Sequence, residues 1–417
     1  MKKIAIITPF LANGGLEKVA VVEVEELSKY FDVTLIVMDT FHIDYPYSGK
    51  MIDLHVLLMD RGLFKRLYNI TMATLKLKRL KKKHCFDLVI SHGELANLPN
   101  VFSGGKNSIL VVHENRFAAI KDIQGKLVNR VIKYIYSARS VSKIVTVSEG
   151  IRESFVKKLG INQDAIMTIY NPYNVDEIKT SAREELGEFT SLFSHQVLTI
   201  TGRLTIQKGQ WFLLRIFKEL KKLIPDLKLV ILGDGEIKEK LIDLSEKLDL
   251  KTYSSWSENL FDDSYDVYFM GFQKNPFKFV GSSKLFVMTS LWEGFGNTIV
   301  EAMACGTPVV STNCKSGPGE IICPALENET LLSAANFEGY GVLMPVFTNA
   351  FVEADEPLDE REQLWIETLH QLLNDDAKLA QYSKDGIQRA EDFRVDVIMK
   401  EWKNLINSIL NDNERQS

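Results

Sequence analysis

The chain predicts an α/β protein built from two doubly wound parallel sheets. Three observations lead there. Apolar runs of strand length alternate with helix-period segments from end to end, the pattern of parallel sheets flanked by helices. The 417 residues are 45% hydrophobic, enough to fill two or three separate cores. Asn171-Pro172 interrupts the alternation near the middle, just after VSEGIRESFVKKLGI closes a unit.

Taken in order, KKIAIITPF, DVTLIVM, DLVIS, SILVVHE and KIVTVS read as strands of the first sheet. Their Ile/Val/Leu runs suit strands covered on both faces. After the first strand, Gly14-Gly15 opens a helix, and glycine there lets backbone approach a ligand closely. Arg61 to Lys83 carries nine basic residues and no acidic one, with Leu63, Phe64, Leu67, Ile70, Leu75 and Leu77 interleaved at helical spacing. A basic amphipathic helix is expected there. A second basic run, Arg116 to Lys143, holds seven basic residues and one acidic. Beyond the joint, VLTITGRL, LKLVILGDG, VYFMGF, KLFVMTS, GTPVVST and GVLMP read as strands of the second sheet. The expected domains are 1–171 and 172–394, with an amphipathic helix in 395–417 carrying Trp402, Leu405 and Leu410. The acidic stretch 350–362 is expected to be an exposed connection.

Charge divides with the domains. Residues 1–170 hold 25 basic against 16 acidic side chains, net +9, and the remainder 25 against 39, net −14. The basic half suits attraction to an anionic lipid surface or a diphosphate-bearing substrate, at about 1 kcal/mol per basic residue near a membrane. A solvated face is the plain alternative. No stacking platform or zinc-finger spacing accompanies the charge, so no nucleic-acid partner is expected. Cys85, Cys305, Cys314 and Cys323 form no C-x-x-C pair and read as reduced thiols of a cytoplasmic protein. The first apolar run is broken by Pro9 and Asn13-Gly14-Gly15 before it reaches signal-peptide length, so a strand is expected. Nowhere do 18 apolar residues run together, and no transmembrane helix is expected.

SLWEGFGNTIVEAMACGTPVV, Ser290 to Val310, is the most informative stretch for chemistry. Asn297 suits a helix N-cap, Thr298 to Ala304 a short helix, Gly306 its left-handed end, and Pro308 with two valines a following strand. A helix start behind glycine-rich backbone offers unpaired N–H groups and a positive dipole end to a phosphate. Glu301 lies about 6 Å further along the axis at roughly 1.5 Å per residue, within reach of sugar hydroxyls attached to that phosphate. Glu293, on the loop side, can reach a second sugar. Ribose, phosphates and hexose follow one another in this order in a nucleotide-diphosphate sugar. For a bare Glu-x7-Glu, a solvated glutamate and a capping carboxylate would be the commoner reading.

Other constellations point the same way. GRLTIQKG, Gly202 to Gly209, places Arg203 and Lys208 five residues apart after a strand, a cationic clamp for a diphosphate if both face the ligand. This loop and the Glu-x7-Glu loop both follow strands of the second sheet and can converge at their carboxyl ends. ILGDGEIKEKL reads as strand, tight turn and helix. Gly271 and Phe272 form the turn after VYFM. His113 ends a buried-looking strand and is followed by Glu114, Asn115 and Arg116; His92 ends the strand before it. Asp262-Asp263 has no third ligand nearby, so no metal site is expected. Neither half has a dinucleotide fingerprint, so no such cofactor is implied.

The pattern S-x-x-E-G-F-G-x-x-x-x-E-A-M-A-C-G-T-P-V-V closely resembles the signature of the retaining family 4 glycosyltransferases. N-G-G-x-E at Asn13 to Glu17, G-R-L-x-x-x-K-G at Gly202 to Gly209 and L-G-x-G at Leu232 to Gly235 resemble further elements of that family. The likeness spans most of the chain and is strongest from Ile200 to Gly319. It implies the GT-B fold, two Rossmann-like domains facing each other across a cleft, the first for acceptor and the second for donor. It implies that Arg203 and Lys208 bind the donor diphosphate, Glu293 the transferred sugar and Glu301 the ribose. Gly294, Phe295, Gly296, Asn297 and Thr298 would supply backbone N–H groups to donor oxygens, with Gly14 and Gly15 beside the sugar and Gly271 and Phe272 at the nucleobase. His113 would meet the donor sugar; Glu114, Asn115, Arg116 and His92 would lie on the acceptor side. Neither metal nor cofactor is implied. NCKSGPGEII, Asn313 to Ile322, resembles a subgroup that builds lipid-linked or surface glycans from UDP-hexoses or UDP-N-acetylhexosamines. The expectation is therefore a bacterial enzyme, peripheral on the cytoplasmic membrane face, acting on a polyprenyl-diphosphate-linked glycan. A UDP-sugar epimerase of the same fold and a non-catalytic nucleotide-sugar-binding protein are the alternatives.

Overall fold

A computed structural model describes all residues except 12–13, 41–42, 44–46, 58–61, 116–125, 259, 329, 349 and 417. It divides into two compact units. Among the described residues one comprises those within 1–115, 126–172 and 395–416, the other those within 173–394.

In the first unit the strands are β1 (Lys3–Thr8), β2 (Asp32–Val37), β3 (Met51–Asp53), β4 (Leu88–His92), β5 (Ser108–Val112), β6 (Val141–Thr146) and β7 (Ile166–Thr168), ordered β3-β2-β1-β4-β5-β6-β7. Each pairs in parallel with its neighbours. Helices α1 (Gly15–Leu27), α2 (Leu63–His84), α3 (Glu94–Phe102), α4 (Lys126–Tyr136) and α5 (Glu149–Ser154) accompany them. The central strands β4 and β5 are buried at every position, which is why their sequences are apolar without alternation. From β1 the chain runs outward to β2 and β3, then returns to the other side of β1 as β4. The order reverses between β1 and β4.

The second unit repeats the plan. Its strands are β8 (Gln196–Thr201), β9 (Leu227–Leu232), β10 (Thr252–Ser254), β11 (Val267–Phe269), β12 (Leu285–Met288), β13 (Val309–Thr312) and β14 (Val342–Met344), ordered β10-β11-β9-β8-β12-β13-β14 and parallel throughout. Its helices are α6 (Val175–Ser181), α7 (Gln210–Leu223), α8 (Lys238–Lys247), α9 (Phe277–Gly281), α10 (Asn297–Cys305), α11 (Pro318–Ile322), α12 (Glu360–Leu373) and α13 (Asp376–Ala390). Trp211, Phe212, Phe217 and Trp365 anchor the larger core. Here the order reverses between β8 and β12, the position at which α/β sheets of this kind bind ligands.

The boundary falls one residue later than the sequence suggested. Tyr173 N donates to Phe393 O at 2.9 Å and its hydroxyl donates to Asn297 Oδ1 at 2.6 Å, tying it to the second unit. The last helix, α14 (Val395–Gln416), belongs to the first unit, burying Trp402, Leu405 and Leu410 and setting Lys403 Nζ 3.8 Å from the Tyr30 ring centroid.

Two local expectations need correction. The stretch 350–362 is more than an exposed connection. Buried Arg215 on α7 donates to the carbonyls of Glu353, Glu356 and Pro357 and pairs with buried Glu362 at 2.6 Å, pinning the segment to the core. Helix α2 carries two apolar stripes rather than one. Ile70, Ala73, Leu77 and Leu80 pack inward, whereas Phe64 (87% exposed), Leu67, Tyr68 (63% exposed) and Leu75 face outward. At about 100° per residue the two sets lie on opposite sides of the helix.

Candidate functional site

In the second unit, the loops after β8 and β12 are fastened together across the reversal of strand order. Leu291 N donates to Gln207 O at 2.8 Å, Gln207 Nε2 to Trp292 O at 2.8 Å, and Thr289 Oγ1 to Lys208 O at 2.9 Å. This backbone lacing aims Lys208 at Glu293. The ammonium stands 2.5 Å from Glu293 Oε1, with the two side chains only 15% and 8% exposed. Arg203 is exposed and joins no ion pair among the described residues, a cation left available to an anionic ligand. Beside the pair, burial pushes the Cys314 thiol up, with the Glu293 charge adding to the rise and Lys208 opposing it. It is a packing group, not a nucleophile. The hydroxyls of Ser290 and Thr205 are buried without a hydrogen-bond partner among the described residues.

The glycine-rich loop is built as anticipated, with one shift. Helix α10 begins at Asn297, not Thr298, because Gly296 takes the cap position with φ +98°. Asn297 therefore does not cap; its Oδ1 accepts from Tyr173. Gly306 ends the helix in the left-handed conformation at φ +82°. Phe295 is buried edge-on against Phe393, ring centroids 5.5 Å apart, so only its backbone can serve a ligand. Thr298 Oγ1 lies 3.7 Å from Met288 Sδ, and Gly294 and Glu301 are partly exposed. Gly317, at φ +100°, supports the loop from below: a Cβ there would sit 1.7 Å from Phe295 O. The Gly-Pro-Gly-Glu turn is thus the floor of the glycine loop, and no residue other than glycine fits it. Gly233 plays the same part under the Arg203 loop, where a Cβ would meet Gly202 O at 2.0 Å. Gly271 takes φ +65° and accepts from Gly233 N, while Phe272 is exposed beside it.

In the first unit the carboxyl ends of β4 and β5 bring two histidines together. His92 Nδ1 and His113 Nε2 are 3.0 Å apart and the rings stack tilted. A contact of that length holds one proton between the nitrogens. His92 is fully buried, so it does not line an acceptor surface as the sequence suggested. Behind it, His92 Nε2 lies 3.1 Å from Oε2 of Glu23, a buried carboxylate on α1. Burial, then the His92 charge, holds His113 well below the usual imidazole range, so it is neutral at pH 7. Asn115 is also turned inward, its Nδ2 donating to Ser154 Oγ at 3.1 Å. Glu114 is exposed. Arg116 lies outside the described residues. Gly15 begins α1 with Gly14 at its cap; a Cβ on Gly14 would meet Glu17 Oε2 at 2.1 Å.

Glu23 and Gln207 escaped the sequence reading. Gln207 occupies a variable position of its motif and left no signal. Glu23 did leave one: it falls on the buried face of α1 with Val19, Ala20, Val24 and Leu27, where periodicity calls for an apolar residue.

Comparison with known proteins places these features. Residues 13–177 match the family model "Glycosyltransferase Family 4", and residues 191–336 match "Glycosyl transferases group 1". An uncharacterized glycosyltransferase of Methanocaldococcus jannaschii is 35% identical over 81% of this chain and 84% of its own. The N-acetylgalactosamine-N,N'-diacetylbacillosaminyl-diphospho-undecaprenol 4-alpha-N-acetylgalactosaminyltransferase of Campylobacter jejuni is 29% identical over 77% of this chain and 83% of its own. Among solved structures, Anabaena HepE in complex with UDP and glucose superposes with a TM-score of 0.70 at 16% identity, over 98% of this chain and 100% of that one. The chain belongs to the family 4 glycosyltransferases of GT-B fold.

Proposed function

We propose that this glycosyltransferase moves a hexose or N-acetylhexosamine from a UDP-sugar to a polyprenyl-diphosphate-linked glycan, with retention at the anomeric carbon and without metal or other cofactor. The observation that carries the reading is the Lys208–Glu293 pair, laced across the strand reversal of the second sheet beside the Gly294–Thr298 loop. A nucleotide-diphosphate sugar supplies both members with better partners, phosphate oxygens for Lys208 and sugar hydroxyls for Glu293. Arg203 joins Lys208 on the diphosphate, Glu301 takes the ribose, and the loop N–H groups meet donor oxygens. Gly271 and Phe272 meet the base. Gly14, Gly15 and His113 are the first unit's contribution to sugar recognition, and Glu114 and Arg116 are assigned to the acceptor.

In the retaining step, the acceptor oxygen bonds to the anomeric carbon on the face the phosphate leaves. The bond from that carbon to the phosphate oxygen breaks, and the acceptor proton passes to the departing diphosphate. Lys208 and Arg203 stabilise the charge that grows on it.

The lipid-linked acceptor is favoured by the Campylobacter relative, whose name specifies a diphospho-undecaprenol substrate. It is favoured also by the outward Phe64, Leu67, Tyr68 and Leu75 stripe, set among the lysines of α2, which suits shallow insertion into an anionic membrane surface on the cytoplasmic side. No helix among the described residues is long and apolar enough to cross a membrane.

The test is thermal shift with a panel of UDP-, GDP- and ADP-sugars in EDTA, followed by assay of released nucleotide. Stabilisation and slow hydrolysis of a UDP-sugar are expected, both lost in Arg203→Ala and Lys208→Ala. Normal turnover in those two variants would overturn the donor assignment.

A further inference from the structure

The first sheet carries a second basic feature, at the end away from the histidines. His92 and His113 stand at the carboxyl ends of β4 and β5. Around the segments that enter those same strands lies a pocket of about 270 Å³ lined by Lys78, Lys81 and Lys82 of α2, Phe86, and Ser103 to Lys106. Among the described residues no carboxylate lines it. Lys78, Lys82 and Lys106 are exposed and pair with no acid among the described residues.

Lys81 differs from them. Its ammonium is withdrawn into the protein and donates to Asn100 O, Asn100 Oδ1 and Gly104 O at 2.8, 2.7 and 2.7 Å. All three of its protons are used, on neutral acceptors, so its charge has no counter-ion among the described residues. Burial lowers its pKa to about 8, the direction expected of a desolvated cation without a carboxylate beside it. The bonds of Lys81 fix the turn that carries Lys106, where Gly104 and Gly105 adopt φ +69° and +110°. No protein acceptor takes the N–H of Gly105 or Lys106 among the described residues. A fixed positive centre, three exposed lysines and a turn with two backbone N–H groups left without a protein acceptor among the described residues line one concavity.

We propose that this pocket binds a phosphate monoester or diphosphate group, separately from the nucleotide-sugar site. The volume accommodates such a group, and the surplus of positive charge is what its oxygens require. A free polyphosphate and the headgroup of an anionic lipid share this chemistry.

The experiment uses the full chain with UDP saturating the donor site. Calorimetric titration with inorganic pyrophosphate is compared between the wild type and Lys78→Gln/Lys82→Gln/Lys106→Gln, which alters only exposed side chains. In parallel, binding to vesicles containing phosphatidic acid is compared with vesicles of phosphatidylglycerol at matched surface charge. The monoester headgroup tests a built site, the matched diester bulk attraction. At least a tenfold loss of pyrophosphate affinity with vesicle binding unchanged assigns the site to a soluble phosphate. At least a tenfold loss of the preference for phosphatidic acid assigns it to a lipid headgroup. If the triple variant changes neither by tenfold, the proposal is wrong. UDP-induced thermal stabilisation should be the same in both proteins, and this separates failure of the pocket from failure of the donor reading.

Discussion

Replacing Glu293 by glutamine should produce opposite effects on two quantities that usually move together. Lys208 is held by Glu293, and under the proposed donor assignment a diphosphate must draw it away. At 2.5 Å and an effective dielectric near 20, the attraction is roughly 7 kcal/mol. Desolvation of two largely buried ions offsets much of this, leaving about 2 kcal/mol as the net coupling. Glutamine keeps the shape and removes the charge. UDP, which lacks the transferred sugar, should then bind about thirtyfold more tightly, because Lys208 reaches its phosphates without first giving up an ion pair. Sugar transfer should fall by orders of magnitude, since the carboxylate no longer accepts from the sugar hydroxyls. Lys208→Met should weaken UDP, and the double variant should match Lys208→Met alone. Calorimetry with UDP and a transfer assay on the same preparations measure both quantities. Unchanged or weaker UDP binding in Glu293→Gln would show that the pair does not oppose diphosphate binding.

Three further outcomes are expected. Arg215→Met strands the buried Glu362 carboxylate and should cost about 3–5 kcal/mol in denaturant unfolding, most of it recovered in Arg215→Met/Glu362→Leu; equal losses in both would deny the pairing its role. His113, held below the usual 6.5 by burial and the His92 charge, takes up no proton in the fold where the unfolded chain does. Stability should thus fall as pH drops through about 6.5, by up to about 1.4 kcal/mol per unit from this residue, and His113→Asn should flatten that slope. Phe64→Ser/Tyr68→Ser removes two exposed rings and should release the protein from anionic vesicles at unchanged melting temperature; retention would return the outer stripe of α2 to ordinary surface.

The fold was largely legible because its interior strands announce themselves. All the apolar runs picked out in the sequence form strands, and those missed, β3, β7 and β10, span three residues each at a sheet edge. Three residues show no period, and an edge strand needs apolar side chains on one face at most. Helix α2 misled for a related reason. Its interleaved apolar residues satisfied a helical spacing, but spacing alone does not say which side of the helix meets the core.

The convergence of Lys208 and Glu293 was legible because the loops bearing them follow adjacent strands, whereas the close backbone approaches that require glycine at Gly233 and Gly317 show only in the structure. His92 was misplaced because a strand-end histidine reads alike whether it faces ligand or core. The residue that decides between those readings is Glu23, from another element. A glutamate on the buried face of α1 costs stability unless a polar partner waits for it. The polar group nearest it is the histidine that touches His113, whose Nε2 lies 3.1 Å from Oε2. An acid where periodicity asks for an apolar side chain is therefore the strongest sequence sign that β4 ends in a buried polar network. Glu23→Gln tests this directly, because it keeps the shape of the helix face and removes only the charge behind His92. It should alter the nitrogen-15 shifts of both imidazoles while leaving the far-ultraviolet spectrum unchanged. Shifts confined to His92 would mean that the influence of the carboxylate stops there, and that His113 is set by its own surroundings.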